Sequence, residues 1–155
     1  MSYSIILPTL NEEGHIIDLI EEIGKNFIAQ KSLYEIIVVD DNSTDGTIEK
    51  VINFIKISNI EIKLYVRKEK KNLAASINFG IDKSKYENII WMDADFQHPP
   101  EYIKKLFQYV NDYDVIIFGS DNTIKTGEWY HLSATYSGGS DAPSRKLFLN
   151  GVELG

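Results

Sequence analysis

Residues 35–47 read EIIVVDDNSTDGT, a stretch in which an apolar run ends abruptly in acidic and turn-forming residues. The run at residues 36–39 does not alternate with polar side chains, which is typical of a strand buried on both faces of a sheet. Apolar residues then recur at helical spacing and predict a helix over residues 44–57. A buried strand followed by an amphipathic helix is the unit from which α/β domains with parallel sheets are built.

The same alternation of strand and helix extends on both sides of this stretch, up to residue 119. Strands are predicted over residues 3–7, 35–39, 61–66, 88–92 and 114–118. Helices are predicted over residues 16–27, 44–57, 72–82 and 99–110. Asn11 and Asn72 are candidate N-caps for the first and third helices. We therefore expect a Rossmann-like α/β domain whose mostly parallel sheet has the strand order 3-2-1-4.

The composition changes after residue 119. Of the 23 isoleucines, 22 precede residue 120, whereas the 36 residues from 120 onward hold five of the ten glycines. Residues 146–154 read KLFLNGVEL, in which Asn-Gly joins two strand-like runs and predicts a β-hairpin. We expect residues 1–119 to form a truncated α/β domain, and residues 120–155 to form a β-rich tail packed on it. An edge of the sheet left bare by the tail could support an oligomer.

Composition also excludes several classes of protein. The chain has 155 residues and no cysteine, which excludes a disulfide scaffold, a zinc-thiolate site, an iron–sulfur cluster and a cysteine nucleophile. Its 16 Lys and Arg against 23 Asp and Glu give a formal charge of −7, which argues against a nucleic-acid binder. The sequence contains no apolar run of about 18 residues and no signal peptide, so we expect no transmembrane segment and a cytoplasmic location.

Polar and mostly acidic loops follow three of the predicted strands, at residues 8–13, 40–46 and 93–98. Because ligands of an open parallel sheet bind beyond the carboxyl ends of its strands, these loops form the candidate functional site. Carboxylates gathered there repel one another unless a cation or the donors of a ligand meet them. The phosphate-loop and Gly-x-Gly-x-x-Gly motifs are missing from the sequence, which disfavours a Walker nucleotidase and an ordinary nicotinamide enzyme.

Asp93 and Asp95 are the strongest candidates in these loops for binding a metal ion. They are two residues apart at a strand end, so both side chains leave the strand on the same side. With the side chain of Gln97, their carboxylates offer hard oxygen ligands suited to Mg²⁺ or Mn²⁺. The alternative is an acidic turn that caps the following helix.

Other polar residues keep two interpretations. Either Asp40 or Asp41 could accept hydrogen bonds from a nucleobase or ribose, or the pair could serve only the turn. Residues 11–12 could do no more than cap the first helix, and the basic pair at residues 67–68 could be a solvated face.

Three blocks of sequence together resemble family 2 glycosyltransferases with the GT-A fold: residues 4–13 (SIILPTLNEE), 35–47 and 91–101 (WMDADFQHPPE). The third block, which contains a DxD pair, is most similar to the polyprenyl-phosphate (dolichyl-phosphate) mannosyl- and glucosyltransferase branch. Residues 72–80 (NLAASINFG) resemble the small-residue helix start of that family. The resemblance covers residues 1–119. It implies metal-assisted transfer of a sugar from a UDP- or GDP-sugar donor to an acceptor such as a polyprenyl phosphate at a membrane surface.

The resemblance also implies roles for individual residues at the nucleotide. Pro8, Asn11 and Glu12 would line the nucleotide pocket. Asp41 would contact the base, and Asp93 would lie near the ribose or the metal.

The metal is implied in the same way. Asp95 and Gln97 would bind the Mg²⁺ or Mn²⁺ that bridges the diphosphate, so Asp93 and Asp95 are the expected catalytic residues. A divalent ion neutralises the charge that develops on the leaving nucleoside diphosphate. A lipid-phosphate acceptor is already ionised, so it needs no strong general base, whereas a neutral sugar hydroxyl would need one.

Residues 120–155 depart from the family pattern. In this branch the fifth strand usually runs into an Arg-containing segment, but here Asp121 follows and the acceptor side is missing. Residues 127–136 and 145–154 instead resemble a fragment of a laminin-G or concanavalin-like domain, as in a natural fusion or an engineered chimera, or a simple hairpin. The open alternatives are a nucleotide- and metal-binding module without turnover, and a structural or glycan-binding protein that uses the aromatic residues of the tail.

Overall fold

The computed structural model describes residues 1–96, 100–109, 147–149 and 152–154, which fall into two compact units, Met1–Pro100 and Glu101–Gly155. The first unit alternates strands and helices: β1 (Ser2–Thr9), α1 (Ile16–Ala29), β2 (Leu33–Asp40), α2 (Thr47–Ile57), β3 (Ile62–Val66), α3 (Leu73–Lys83) and β4 (Asn88–Trp91). A 3-10 turn at Pro100–Tyr102 precedes α4 (Ile103–Tyr109) along the chain. Among the helices of these described residues, none combines the length and apolar character needed to cross a membrane.

The second unit also contains a short antiparallel pair, β5 (Leu147–Leu149) and β6 (Val152–Leu154). This pair confirms the predicted hairpin at residues 146–154. The predicted strand at residues 114–118 and the tail segment at 127–136 lie outside the described residues.

The four strands of the first unit form a parallel sheet with the order β3-β2-β1-β4, which confirms the predicted class and strand order. The two central strands, β1 and β2, are buried on both faces along most of their length, as their unbroken apolar runs predict. All four strands run the same way, so their carboxyl ends meet at one end of the sheet. We call this the carboxyl end and the opposite one the amino end.

Helix α3 covers one face of the sheet. The core on this face is built on Ile6, Ile37 and Val39, with partly buried aromatic side chains packed around them. Gly80 lets α3 approach closely, because a Cβ at this position would lie 2.5 Å from Cγ2 of Ile6. A larger residue at position 80 would therefore push the helix away from the sheet.

The opposite face of the sheet is covered by α1. Its apolar residues recur at helical spacing, and those from Ile16 to Phe27 that face the sheet are fully buried. The ring of Phe27 stacks on Tyr34 with 4.9 Å between centroids and meets Tyr3 edge-on at 5.4 Å. Both tyrosines alternate away from the α3 face, so the sheet is enclosed by helices on both sides.

The helix starts test the predicted caps. Asn72 caps α3 as predicted, because its side chain accepts a hydrogen bond from the backbone N–H of Ala75 at 2.9 Å. The prediction for Asn11 was wrong: α1 begins at Ile16, as its apolar spacing predicted, and His15 occupies the N-cap position without a side-chain cap. Helix α2 begins at Thr47, later than predicted, because the carboxylate of Asp45 accepts the Thr47 backbone N–H and holds the preceding residues in a turn.

A buried polar network ties the strands together at the amino end of the sheet. Glu35 is fully buried and accepts hydrogen bonds from the Ser4 hydroxyl at 2.6 Å, the Lys63 ammonium at 2.6 Å and the Lys85 backbone N–H at 2.7 Å. Burial by itself raises the pKa of Glu35, but these three hydrogen bonds outweigh it and hold the pKa below its ordinary value. The network therefore links β1, β2, β3 and the segment before β4.

Candidate functional site

At the carboxyl end, the loops after β1 and β2 are locked to each other. Asn11 has a left-handed backbone with φ of 61°, and its side-chain oxygen accepts the Thr44 backbone N–H at 2.9 Å. Its own N–H donates to the Ser43 hydroxyl at 2.8 Å, and the N–H of Glu12 donates to the Thr47 hydroxyl at 2.8 Å. Asn11 thus joins two loops instead of capping a helix, which makes this part of the site well ordered before any ligand arrives.

The adjacent acidic residues Asp40 and Asp41 point to opposite faces of the sheet, because side chains alternate along a strand. Asp40 is fully buried and accepts hydrogen bonds from the Thr9 hydroxyl at 2.9 Å, the Ser43 hydroxyl at 2.6 Å and the Ser43 backbone N–H at 2.7 Å. These partners belong to β1 and to the loop after β2. Asp40 therefore has the turn-holding role that was one of its two interpretations.

Asp41 lies on the α3 face and has different partners. One of its oxygens, Oδ1, accepts hydrogen bonds from the Arg67 guanidinium and from the Ser76 hydroxyl, the latter at 2.8 Å. The other, Oδ2, accepts the backbone N–H of Asn72 at 2.8 Å. The carboxylate is thereby held between the ends of β2 and β3 and the start of α3.

The position of Arg67 corrects one interpretation of the sequence. Residues 67–68 could have been a solvated face, and Lys68 is indeed exposed, but Arg67 is only 9% exposed. In a run that reads RKEKK, composition gives no sign that the first cation turns inward. The usable signal is its place, directly after β3 at the end of the sheet where ligands bind.

The loops after β1 and β4 also come together. Burial raises the pKa of Glu12, and the negative charge of Asp95 raises it further, as do those of Asp45 and Asp93, while His15 opposes them. The ring of His15 meets Phe96 edge-on, with 6.2 Å between centroids. The structure therefore brings the predicted site residues Glu12, Asp93 and Asp95 within electrostatic reach of one another.

The remaining predicted residues are Pro8 and Gln97. Pro8 is buried within β1, opposite Val39 of β2. Gln97, predicted to bind the metal, lies outside the described residues. Within the described residues, no group of three or more His, Cys, Asp or Glu side chains is placed to hold a metal ion by itself.

The donor chemistry of this end of the sheet nevertheless suits a hard divalent cation. Mg²⁺ commonly takes only one or two protein carboxylates and completes its shell with water and substrate phosphates. Asp93 and Asp95 offer two carboxylates, and their charges add to the effect of burial in raising the pKa of Glu12. Oxygen ligands in an acidic setting fit Mg²⁺ or Mn²⁺ better than softer metals.

Solved structures with the same fold belong to glycosyltransferases. The mannosyltransferase PcManGT from Pyrobaculum calidifontis, in complex with GDP-Man and Mn²⁺, matches with a TM-score of 0.56 and 26% identity, over 73% of this chain and 33% of that one. TarS residues 1–349 from S. aureus match with a TM-score of 0.62 and 21% identity, over 86% of this chain and 41% of the other. These matches confirm the predicted GT-A fold.

Curated relatives give a consistent picture. The dolichol-phosphate mannosyltransferase of Pyrococcus furiosus is 36% identical over 120 residues, which cover 77% of this chain and 33% of the relative. The enzyme of the same name from Saccharomyces cerevisiae is 33% identical over 116 residues, 73% of this chain and 42% of the relative. The chain therefore spans less than half the length of the relatives that it matches.

The sequence model described as "Glycosyl transferase family 2" matches residues 4–151, nearly the whole chain. The match includes the loops after β1, β2 and β4 and extends beyond residue 119. The chain belongs to glycosyl transferase family 2.

Proposed function

We propose that this protein transfers a sugar from a UDP- or GDP-sugar donor to a polyprenyl-phosphate acceptor, with the help of Mg²⁺ or Mn²⁺. The observation that carries the proposal is the grouping of Glu12, Asp93 and Asp95 at the carboxyl end of the sheet, in a chain of this family. Negative charges gathered in one place repel one another, and a cation that carries a diphosphate would offset that repulsion.

The comparisons support the same choice of donor and acceptor. The relatives are named dolichol-phosphate mannosyltransferases, and PcManGT was solved with GDP-Man and Mn²⁺. By analogy with these proteins, the donor here would be a nucleotide-sugar and the acceptor a lipid phosphate.

Each predicted residue then has a role. In the proposed complex, Pro8, Asn11, Glu12 and Asp41 line the nucleoside. Asn11 and Glu12 are held for this by the loop after β2, through the Ser43, Thr44 and Thr47 contacts; those three belong to the scaffold of the pocket.

The metal would be held by Asp95 and Gln97, with Asp93 beside it, and when bound it would neutralise the charge of the departing nucleoside diphosphate. The acidic residues of the chain also make such a cation necessary for attracting an anionic donor to a protein with a formal charge of −7. The acceptor phosphate is ionised at neutral pH, so the chain needs to orient it but not to deprotonate it.

The proposed function divides the chain at residue 119. Residues 1–119 would carry the donor chemistry, since every described residue of the candidate site lies within Met1–Pro100. Residues 120–155 would form a tail that packs on the same domain.

The test is release of UDP or GDP from UDP- and GDP-sugars in the presence of a polyprenyl phosphate and Mn²⁺. We expect release with one donor, and loss of release on chelation of the metal or in Asp95→Asn. The matched control is Asp82→Asn, which removes an exposed carboxylate of α3 and should keep full activity.

The same assay separates the alternative, a binding module without turnover. That alternative gives metal-dependent nucleotide binding but no release with any acceptor. A folded protein that binds neither UDP nor GDP with Mn²⁺ present would contradict both.

A further inference from the structure

Arg67 is a buried cation at the end of the sheet where ligands bind. Its backbone N–H donates to the carbonyl of Asp40 at 2.8 Å, and its guanidinium donates to Asp41 and to the Ser76 hydroxyl, the latter at 2.7 Å. Glu69 is the second acid near it, 3.8 Å from Nε, but its side chain is 72% exposed. Asp41 is therefore the partner that compensates the burial of this charge.

A buried ion pair is a costly way to join the end of β2 to the end of β3. Replacing such a pair by apolar side chains of similar size is often neutral or stabilising, so packing alone does not explain an arginine at this position. The effect of Arg67 is directed at the single carboxylate of Asp41.

The hydrogen bonds that the described residues make to Asp41 leave one acceptor position of its carboxylate unused. A carboxylate has about four lone-pair positions, two on each oxygen. Two are taken on Oδ1 by Arg67 and Ser76, and one on Oδ2 by the Asn72 N–H. Within the described part of the chain, one acceptor position of Oδ2 is left, on a residue that retains 6% exposure.

We propose that Arg67 and Ser76 are positioning residues that fix the Asp41 carboxylate so that its remaining acceptor position receives one N–H of the donor's base. This inference rests on the proposed function, in which Asp41 contacts the base. The two donors to Oδ1 prevent the carboxylate from turning about its terminal torsion, which is otherwise soft. The base then meets a carboxylate whose orientation is already fixed and whose remaining acceptor position is not used by another described residue.

Orientation in advance increases affinity because binding no longer has to order the side chain. Removing Arg67 or Ser76 lets the carboxylate rotate and take water in place of the base. We expect the loss to approach the value of one hydrogen bond to a charged group, which corresponds to about a tenfold weaker nucleotide affinity. The part of the affinity that comes from the diphosphate should not change.

The experiment measures calorimetric affinities for UDP, GDP and inorganic pyrophosphate, each with Mn²⁺, in the full chain. The variants are Arg67→Met, Arg67→Lys and Ser76→Ala, with Lys68→Gln as the matched control because it removes the neighbouring, exposed cation. We expect Arg67→Met and Ser76→Ala to weaken the preferred nucleotide about tenfold. Pyrophosphate affinity should stay within about twofold of wild type, and Arg67→Lys should recover part of the loss.

Each other outcome overturns the proposal. Equal weakening of nucleotide and pyrophosphate would mean that Arg67 and Ser76 support only the fold, and unchanged nucleotide affinity would mean that they do not position Asp41. If Arg67→Met fails to fold, Ser76→Ala decides alone, since it removes a single hydroxyl. Wild-type protein that binds pyrophosphate but neither nucleotide would contradict the proposed function itself, whereas wild-type nucleotide binding with unaffected variants would contradict only this inference.

Discussion

The two ends of the sheet treat their carboxylates in opposite ways. At the amino end, Glu35 is matched by an ammonium, a hydroxyl and a backbone N–H, and its pKa is lowered. At the carboxyl end, burial raises the pKa of Glu12, and the negative charges of Asp95 and Asp93 raise it further. The first arrangement matches a carboxylate with donors, whereas the second brings like charges together. The comparison therefore sets residues that support the fold against residues that, in the proposed function, bind the metal and the nucleotide.

The largest loss of stability should come from removing Glu35 at the amino end of the sheet. Glu35→Ala leaves the Ser4 hydroxyl, the Lys85 N–H and the Lys63 ammonium without their shared acceptor, so we expect the free energy of unfolding to fall by about 3 kcal/mol. Chemical denaturation measures this. Glu61→Ala is the control, because it removes an exposed partner of Lys85 and should cost at most about 1 kcal/mol. Equal losses in the two variants would contradict the special role of Glu35.

At the carboxyl end, loss of a carboxylate should remove the response of the protein to its ligand. Wild-type protein with nucleotide and Mn²⁺ at about 100 times the dissociation constant should gain about 2.7 kcal/mol. We expect Asp95→Asn, compared with its own ligand-free form, to lose this gain. Thermal denaturation with and without nucleotide and Mn²⁺ decides the matter, and a ligand-induced shift that survives in Asp95→Asn would contradict the metal assignment.

Lowering the pH should weaken the Glu35 network at the amino end of the sheet. The pKa of Glu35 in the folded chain lies below its ordinary value. The stabilising effect of Glu35 is therefore complete above the unfolded pKa of about 4.5, and it is lost as the pH falls through the lower folded pKa. We therefore expect the free energy of unfolding of wild type to drop more steeply below about pH 4.5 than that of Glu35→Gln. Parallel curves for the two proteins would show that Glu35 is not responsible.

The smallest expected effect is a gain in stability and not a loss. Glu12→Gln removes one of several like charges while keeping the size of the side chain, so we expect the ligand-free protein to become more stable by about 0.5 kcal/mol. High salt should reduce the difference between the two proteins, since it screens the repulsion. A destabilised variant would show that Glu12 is already compensated and would remove the contrast between the two ends.

The sequence was sufficient for the sheet and insufficient for the contacts between its loops. Unbroken apolar runs are produced by burial on both faces, so β1 and β2 and the order of the strands could be predicted. The role of Asn11 could not be predicted, because its side chain bonds to Thr44, a partner 33 residues away. Local pattern carries no information about such a contact.

The candidate site shows the same limit. Grouping of the acidic loops follows from parallel topology, which places the ends of all strands together. Alternation could also have assigned Asp40 and Asp41 to opposite faces. By contrast, Arg67 resembles its exposed neighbours in sequence, and its partners Asp41 and Ser76 lie 26 and 9 residues away along the chain.

Lys63 has a consequence for the behaviour of the protein in concentrated solution. It is the second residue of β3, the outermost strand at one side of the described sheet. Its hydrogen bond to Glu35 raises the pKa of Lys63 and keeps the ammonium charged there. A fixed cation in an outer strand discourages a second sheet from adding to it, because pairing would bury the charge further. The pair that strengthens the amino end of the sheet thus also protects the chain against aggregation through β3.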